Sequence, residues 1–112
     1  LVFTYCKGYH GGMELTGVER IQRFIRKHAN ARKVMAVFVR TIEEASWQHS
    51  ADMQACSFGS DIVDKLAEGR FVVEFDVGGN KFRVKATVNF EMQAVHILKV
   101  RTHAEYDREY GL

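Results

Sequence analysis

A chain of 112 residues, 46% hydrophobic and 27% charged, can build one modest core, which excludes a large multidomain enzyme and equally excludes intrinsic disorder. With 16 basic against 14 acidic residues the net charge is only +2, so the total gives no argument for a nucleic-acid partner and the distribution has to be read instead. No apolar run approaches the roughly 18 residues of a membrane span, and Cys6 and Cys56 are too few for a disulfide scaffold and too far apart for a C-x-x-C motif; a soluble, cytoplasmic protein with no membrane partner is expected.

Proline is absent, although average usage would give roughly six, so Gly, Asn, Asp and Ser must make every break. Residues 1–12, with Gly8, Gly11 and Gly12, read either as an extension preceding the domain, native or left from cloning, or as an extra edge strand through Val2-Phe3-Thr4-Tyr5. Residues 13–112 read as a single domain. Met13-Glu14-Leu15 predicts a short first strand. Thr16-x-x-Glu19 has the spacing of a capping box and predicts a helix start at Thr16. Val18, Ile21 and Ile25 then share one face, with Arg20, Arg23, Arg26 and Lys27 around the other. The phase is lost at His28-Ala29-Asn30, and a second stripe of Val34, Phe38, Ile42 and Ala45 predicts another helix up to Trp47. Ser50-Ala51-Asp52-Met53 suits a third, shorter helical turn, and Gly59-Ser60-Asp61 reads as a loop.

The period then changes. Phe71 to Val77 is rich in β-branched and aromatic residues, and Gly78-Gly79-Asn80 follows as a hairpin turn with positive φ. Lys81 to Phe90 alternates strictly, placing Phe82, Val84, Ala86, Val88 and Phe90 on a core face and Lys81, Arg83, Lys85, Thr87 and Asn89 on the opposite one. A turn at Glu91-Met92-Gln93 leads into a further strand, Ala94 to Arg101, and Thr102 caps a closing helical turn. Trp47 and Phe58 are expected in the core or at its rim.

Charge is distributed unevenly along this order. Residues 17–40 carry seven basic and one acidic residue, residues 41–68 one basic and six acidic. The result is a basic helical region, an acidic middle and a sheet with one cationic face. Lys and Arg at i, i+2, i+4 on a solvent-facing strand can reach a phosphate backbone; the same pattern also serves solubility and blocks edge aggregation. His103 and Tyr106 stand three apart, just beyond a strand ending in Lys99 and Arg101. Imidazole, phenol and guanidinium around a phosphate suffice for RNA cleavage without a metal: a base takes the 2′-hydroxyl proton, an acid protonates the leaving 5′-oxygen, and arginine stabilises the charge on phosphorus. The competing reading has the Tyr106 ring packed on the core edge and His103 simply solvated. His10, His28, His49 and His96 lack metal-ligand spacing, Asp61, Asp64, Glu43 and Glu44 suit solvated surface, and the glycine turn is too short for a phosphate loop. Neither a metal nor a cofactor is expected.

The segment Val73-Glu74-Phe75-Asp76-Val77-Gly78-Gly79-Asn80-Lys81-Phe82-Arg83-Val84, with the later Val100-Arg101-Thr102-His103-Ala104-Glu105-Tyr106-Asp107, closely resembles the HigB family of bacterial toxins. The paired signature is a G-N-x-x-R turn and a closing T-H-x-E-Y-D. Ser46-Trp47-Gln48, Ala51-Asp52-Met53 and Ser60-Asp61-Ile62-Val63 resemble the family's middle region, and the resemblance covers about residues 13–110. It implies an α+β, RelE-like fold, with two N-terminal helices packed on a small antiparallel sheet. It also implies an endoribonuclease (mRNA interferase) acting on mRNA in the translating ribosome, neutralised by a cognate helix-turn-helix (HigA-like) antitoxin. Carried over by position, Arg83 is expected to stabilise the phosphate, His103 to transfer a proton and Tyr106 to position or stack on a base, while Lys81, Lys85, Lys99 and Arg101 are candidate RNA contacts from charge and strand placement. An alternative is a catalytically weak RNA- or antitoxin-binding module of the same fold. The chain departs from the family at Leu98, where many relatives carry arginine, and in the Ser57-Phe58-Gly59-Ser60 loop, where proline is usual. Strict alternation would place Leu98 and Lys99 on opposite faces, so Lys99 can replace that arginine only through a bulge or a strand end.

Overall fold

A computed structural model describes residues 12–112; the edge strand considered for residues 2–5 lies outside the described residues. The elements are β1 (Glu14–Thr16), α1 (Val18–Lys27), α2 (Arg32–Glu44), α3 (Ser50–Gln54), β2 (Gly59–Ala67), β3 (Arg70–Val77), β4 (Phe82–Asn89), β5 (Ala94–Thr102) and α4 (His103–Tyr110), with a 3-10 turn over Ala29–Ala31 between the first two helices. Of the predicted stripes, α1 buries Ile21 and α2 buries Phe38 and Ile42; Val18, Ile25 and Val34 are half-buried, and Phe24 and Met35, outside the stripes, are buried as well. Both helices pack on one side of a five-stranded sheet of order β1-β5-β4-β3-β2. Strands β2 to β5 are antiparallel neighbours, and β1 adds to β5 in parallel. Phe75 is central to the core, with Phe38 and Phe58 edge-on at 5.4 and 5.5 Å between ring centroids. Trp47 is buried and donates its Nε1–H to Cys56 Sγ at 3.1 Å. Among the described residues no helix is long and apolar enough to cross a membrane.

Two local readings of the sequence are corrected. The first helix does not start at Thr16: that residue ends β1, its hydroxyl 2.8 Å from His96 Nδ1, and the N-cap is Gly17 at φ 81° with no side-chain cap. A Cβ on residue 17 would lie 2.5 Å from the Ile97 carbonyl oxygen, so the approach of β1 to β5 requires glycine there and displaces the predicted cap. The second correction is β2, which occupies the Gly59-Ser60-Asp61 stretch read as a loop and runs on to Ala67. It is an edge strand, exposed along nearly its whole length and shifted in register twice against β3, so no buried face imposed an alternation on its residues.

The β3–β4 hairpin turns through Gly78, Gly79 and Asn80 at φ 72°, 59° and 78°, as the turn chemistry requires. On β4 the predicted alternation holds, with Phe82, Val84, Ala86 and Val88 buried. Opposite it, Lys85 faces Lys99 while Ala86 faces Ile97, so Leu98 is an extra residue, a β-bulge. Parity switches there. Val95, Ile97 and Val100 point to the core, and Lys99 and Arg101 join Arg83 and Lys85 on the far side of the sheet.

That far side is not the open cationic surface that alternation alone suggested. Helix α4 lies across it, and β3 contributes Glu74 opposite Lys85 and Asp76 opposite Arg83.

Candidate active site

Arg83 leaves β4 one residue after the hairpin, and its side chain is only 12% exposed. Its Nη2 donates to Asn80 Oδ1 at 3.2 Å, Nη1 lies 3.8 Å from Asp61 Oδ2, and Nε lies 3.4 Å from Asp76 Oδ1, too poorly aligned for a hydrogen bond. The guanidinium carbon sits 4.4 Å from the centroid of the Tyr106 ring, a cation–π stack that fixes the plane of both groups. The ring also covers Arg101 at 5.4 Å.

Arg101 is buried between two carboxylates. Its Nη2 donates to Glu74 Oε1 at 2.6 Å and its Nη1 to Glu109 Oε1 at 3.0 Å. The second Glu74 oxygen accepts from the Tyr110 hydroxyl at 2.7 Å, so a fully buried carboxylate on β3 ties β5 and the last turn of α4 together. Burial, then the hydrogen bond to Glu74 and the charges of Glu74 and Glu109, push the Tyr110 phenol up to about 12 against the opposing pull of Arg101; it is a permanent neutral donor at ordinary pH.

Helix α4 begins with a capping box: Thr102 accepts from the Glu105 amide at 3.2 Å, and Glu105 accepts from the Thr102 amide at 2.9 Å. This cap orients His103 at the first helical position. The His103 ring lies nearly parallel to that of Tyr106 at 6.2 Å, and its Nδ1 is 3.8 Å from Asp107 Oδ1. Among the described residues, the buried side-chain polar atoms left without a hydrogen bond are Ser60 Oγ, Asp76 Oδ1, Arg83 Nε, Arg101 Nε and His103 Nδ1. All but the first belong to this one surface. Buried polar atoms are almost always paired, so unpaired capacity concentrated at one place marks a site built for something other than stability.

The three residues assigned chemistry from the sequence, Arg83, His103 and Tyr106, are therefore brought together: two of them contact the Tyr106 ring from different elements. The assigned RNA contacts separate. Lys81 is exposed beside the entry to α4, its carbonyl accepting from the His103 amide at 3.0 Å. Lys85 and Lys99 face one another across β4 and β5, both close to Glu109, and Arg101 is enclosed. Sequence reasoning missed Asp61, Glu74, Asp76, Glu109 and Tyr110. Two of them follow from the hairpin register, which is centred between Gly79 and Asn80 and sets Asp76 opposite Arg83 and Glu74 opposite Lys85. Among the described residues no three His, Cys, Asp or Glu side chains are gathered as a metal site would need. Beyond the bulge, Arg20, Arg23, Lys27 and His28 of the α1 region line a groove of about 340 Å³ with Leu98 and Lys99.

The α+β frame, with its helices α1 and α2 packed on a five-stranded sheet of order β1-β5-β4-β3-β2, is that of a RelE-like domain. Residues 31–109 match the family model of the HigB toxin, described as the RelE-like toxic component of a toxin-antitoxin system, and the chain belongs to that family. It is also similar to the mRNA interferase toxin HigB of Escherichia coli K12, and to proteins named mRNA interferase HigB from Escherichia coli O157:H7 and Shigella flexneri. Each is 58% identical over 33 residues, 30% of this chain. The matched stretch spans about a third (32%) of the length of these curated relatives.

Proposed function

We propose that this toxin is a metal-independent endoribonuclease that cuts mRNA in the translating ribosome. The observation that carries the reading is the convergence of Arg83, Tyr106 and His103, with unpaired buried nitrogens on the arginine and the histidine. In the reaction the 2′-oxygen forms a bond to phosphorus as the P–O5′ bond breaks. The 2′-hydroxyl proton passes to a base, the leaving 5′-oxygen receives a proton, and a 2′,3′-cyclic phosphate remains. His103 moves a proton, Arg83 meets the negative charge that grows on the phosphoryl oxygens, and the Tyr106 ring holds Arg83 flat and offers its other area to a base. Lys81, Lys85 and Lys99 supply backbone contacts, and Arg101 supports Tyr106 from below. The names of the relatives support an mRNA substrate, and membership of a toxin-antitoxin family supports a cognate antitoxin of the HigA-like, helix-turn-helix kind.

The test is induction in cells of the wild type, Arg83→Ala and His103→Ala, read as growth arrest and transcript cleavage. The wild type arrests growth and cuts; the variants do neither. Equal behaviour of all three overturns the assignment. One observation favours a second reading, a catalytically weak binding module: Arg83, Lys85, Lys99 and Arg101 each already face a carboxylate. That module binds RNA or antitoxin with no cleavage, and high-yield expression without an antitoxin distinguishes it.

A further inference from the structure

We propose that Lys85, Lys99 and Arg101 form a second phosphate subsite for the RNA backbone, and that Glu109 fills it in the free protein as an internal competitor. The inference rests on the nuclease reading and adds to it a built-in restraint on RNA binding.

The sheet places like charges directly opposite one another, Arg83 across from Arg101 and Lys85 across from Lys99. Facing like charges are destabilising, so this block of four cations needs anions to exist. Arg83 has Asp76 and Asp61, and Arg101 has Glu74. The remaining anion is Glu109, on which the cluster converges: Lys99 Nζ at 3.1 Å and Lys85 Nζ at 3.8 Å from Oε2, and Arg101 Nη1 at 3.0 Å from Oε1. One carboxylate held by three cations from two strands has the arrangement of a bound phosphate oxygen pair. Burial works to raise the Glu109 carboxyl, but the Lys99 hydrogen bond and the charges of Arg101, Lys99 and Lys85 outweigh it and hold the group below its ordinary range.

Glu109 is also the member that can leave. It stands in the last turn of the last helix, one residue before the Tyr110 anchor and two before Gly111 in the left-handed conformation. Terminal turns open at the lowest cost in free energy. The Lys99 side chain is 54% exposed, so a ligand reaches it without passing through the core. With Glu109 displaced, Lys85, Lys99 and Arg101 against Glu74 leave two net positive charges, and a phosphodiester restores the single negative charge that departed. Lys85 lies two residues from Arg83 on the same face, about 6.6 Å along the strand, a step of the order of that between adjacent phosphates of an extended RNA strand. The subsite thus holds the phosphate neighbouring the one at Arg83.

The test is fluorescence anisotropy of a labelled 2′-O-methyl hexanucleotide, which lacks the attacking hydroxyl and so is not cut. Glu109→Gln is expected to bind it several-fold tighter than wild type at low salt, with a log–log salt dependence steeper by up to about one. Adding Lys99→Gln to Glu109→Gln removes the gain, and Arg83→Gln weakens binding whichever residue stands at 109. If the wild type binds and Arg83→Gln weakens it, but Glu109→Gln binds no tighter, the competitor is overturned while the RNA reading stands. If no variant binds, the subsite is overturned, and the nuclease reading is decided by the growth and transcript-cleavage assay. A gain seen toward an antitoxin and not toward RNA also overturns the subsite. Circular dichroism checks that α4 survives; should Glu109→Gln unfold, unchanged RNA affinity in both Lys85→Gln and Lys99→Gln overturns the proposal.

Discussion

Arg101 donates to Glu74 at 2.6 Å with both side chains out of water, and the Tyr110 hydroxyl completes the carboxylate's shell at 2.7 Å. A buried ion pair gains little over apolar residues of the same volume, but half of one is costly. Its value here is positional: Arg101 lies beneath the Tyr106 ring, and Glu74 holds the far end of the helix that carries His103 and Tyr106.

Glu74→Ala strands a buried guanidinium and leaves the Tyr110 hydroxyl without its acceptor. Urea unfolding should show a loss of about 3–5 kcal/mol. The pair Glu74→Leu with Arg101→Met should recover most of that loss; a double variant as unstable as the single one would show that the pair does more than cancel itself.

Tyr110 provides an alkaline limb to stability. Its phenol is raised from 10.0 to about 12 by burial first and by Glu74 next, so the native state keeps a proton that the unfolded chain releases. The contribution is complete below pH 10 and disappears as pH rises through about 12. Thermal unfolding across that window should fall more steeply in wild type than in Tyr110→Phe, and ultraviolet difference spectra should show one late-titrating tyrosine that the variant lacks.

For cleavage of mRNA on translating ribosomes, removing a proton-transfer group costs about 10²–10⁴ in rate and removing a charge stabiliser about 10²–10³. His103→Ala and Arg83→Ala should fall in those ranges. Arg83→Lys should recover little, because an ammonium neither lies flat on Tyr106 nor keeps the Asn80 contact. Tyr106→Phe should keep most activity and Tyr106→Ala should lose it, since the ring supplies the stacking; a dead Tyr106→Phe would instead make the phenol a proton donor.

The capping box at Thr102 gives a third stability prediction. Thr102→Ala should lower stability by about 1 kcal/mol. The Glu105 carboxyl is held below its ordinary 4.5 by the hydrogen bond from the Thr102 backbone, against burial. A lowered carboxyl adds stability that is complete above that value and lost as pH falls through the native one. Glu105→Gln should therefore flatten the acid limb of a pH–melting curve, and an unchanged limb would count against the assignment.

Deleting Leu98 should leave a folded protein. The residue is the surplus one of the bulge, and without it Ile97, Lys99, Val100 and Arg101 alternate in step with β4. Deleting Lys99 instead removes one of the facing lysines and forces Leu98 to the far side. Heteronuclear NMR spectra of the two deletions should differ accordingly, the first native-like and the second rearranged around Glu109.

What was legible followed burial. The alternation of Phe82 to Val88 is strict because one side of β4 is core, and the α1 and α2 stripes are clear for the same reason. Strand β2 was invisible because neither of its sides is covered, so Asp61, Asp64 and Lys65 carry no period. The Thr16 cap was misread since a cap motif states only local preference, whereas Gly17 answers to Ile97, eighty residues away. Arg83, His103 and Tyr106 were reached from the closing motif, but their carboxylate partners depend on strand register, and Tyr110 and Glu109 on how α4 lies, neither of which a linear pattern contains. A bulge, the condition for Lys99 to take the place of an arginine at 98, is present at Leu98, and measured activity decides whether Lys99 acts in that role.

The parallel pairing of β1 with β5 joins Glu14 to Ala94 and Thr16 to His96. During synthesis the first strand therefore has no partner until residues 94–96 have been made, and α4, with His103 and Tyr106, follows later still. Such non-local closure is slow to form, whereas the β2–β3–β4 meander pairs strands that are neighbours in sequence. A nascent chain that has reached only residue 102 lacks two of the three side chains assigned to the chemistry, His103 and Tyr106, so no domain still without α4 carries the complete set.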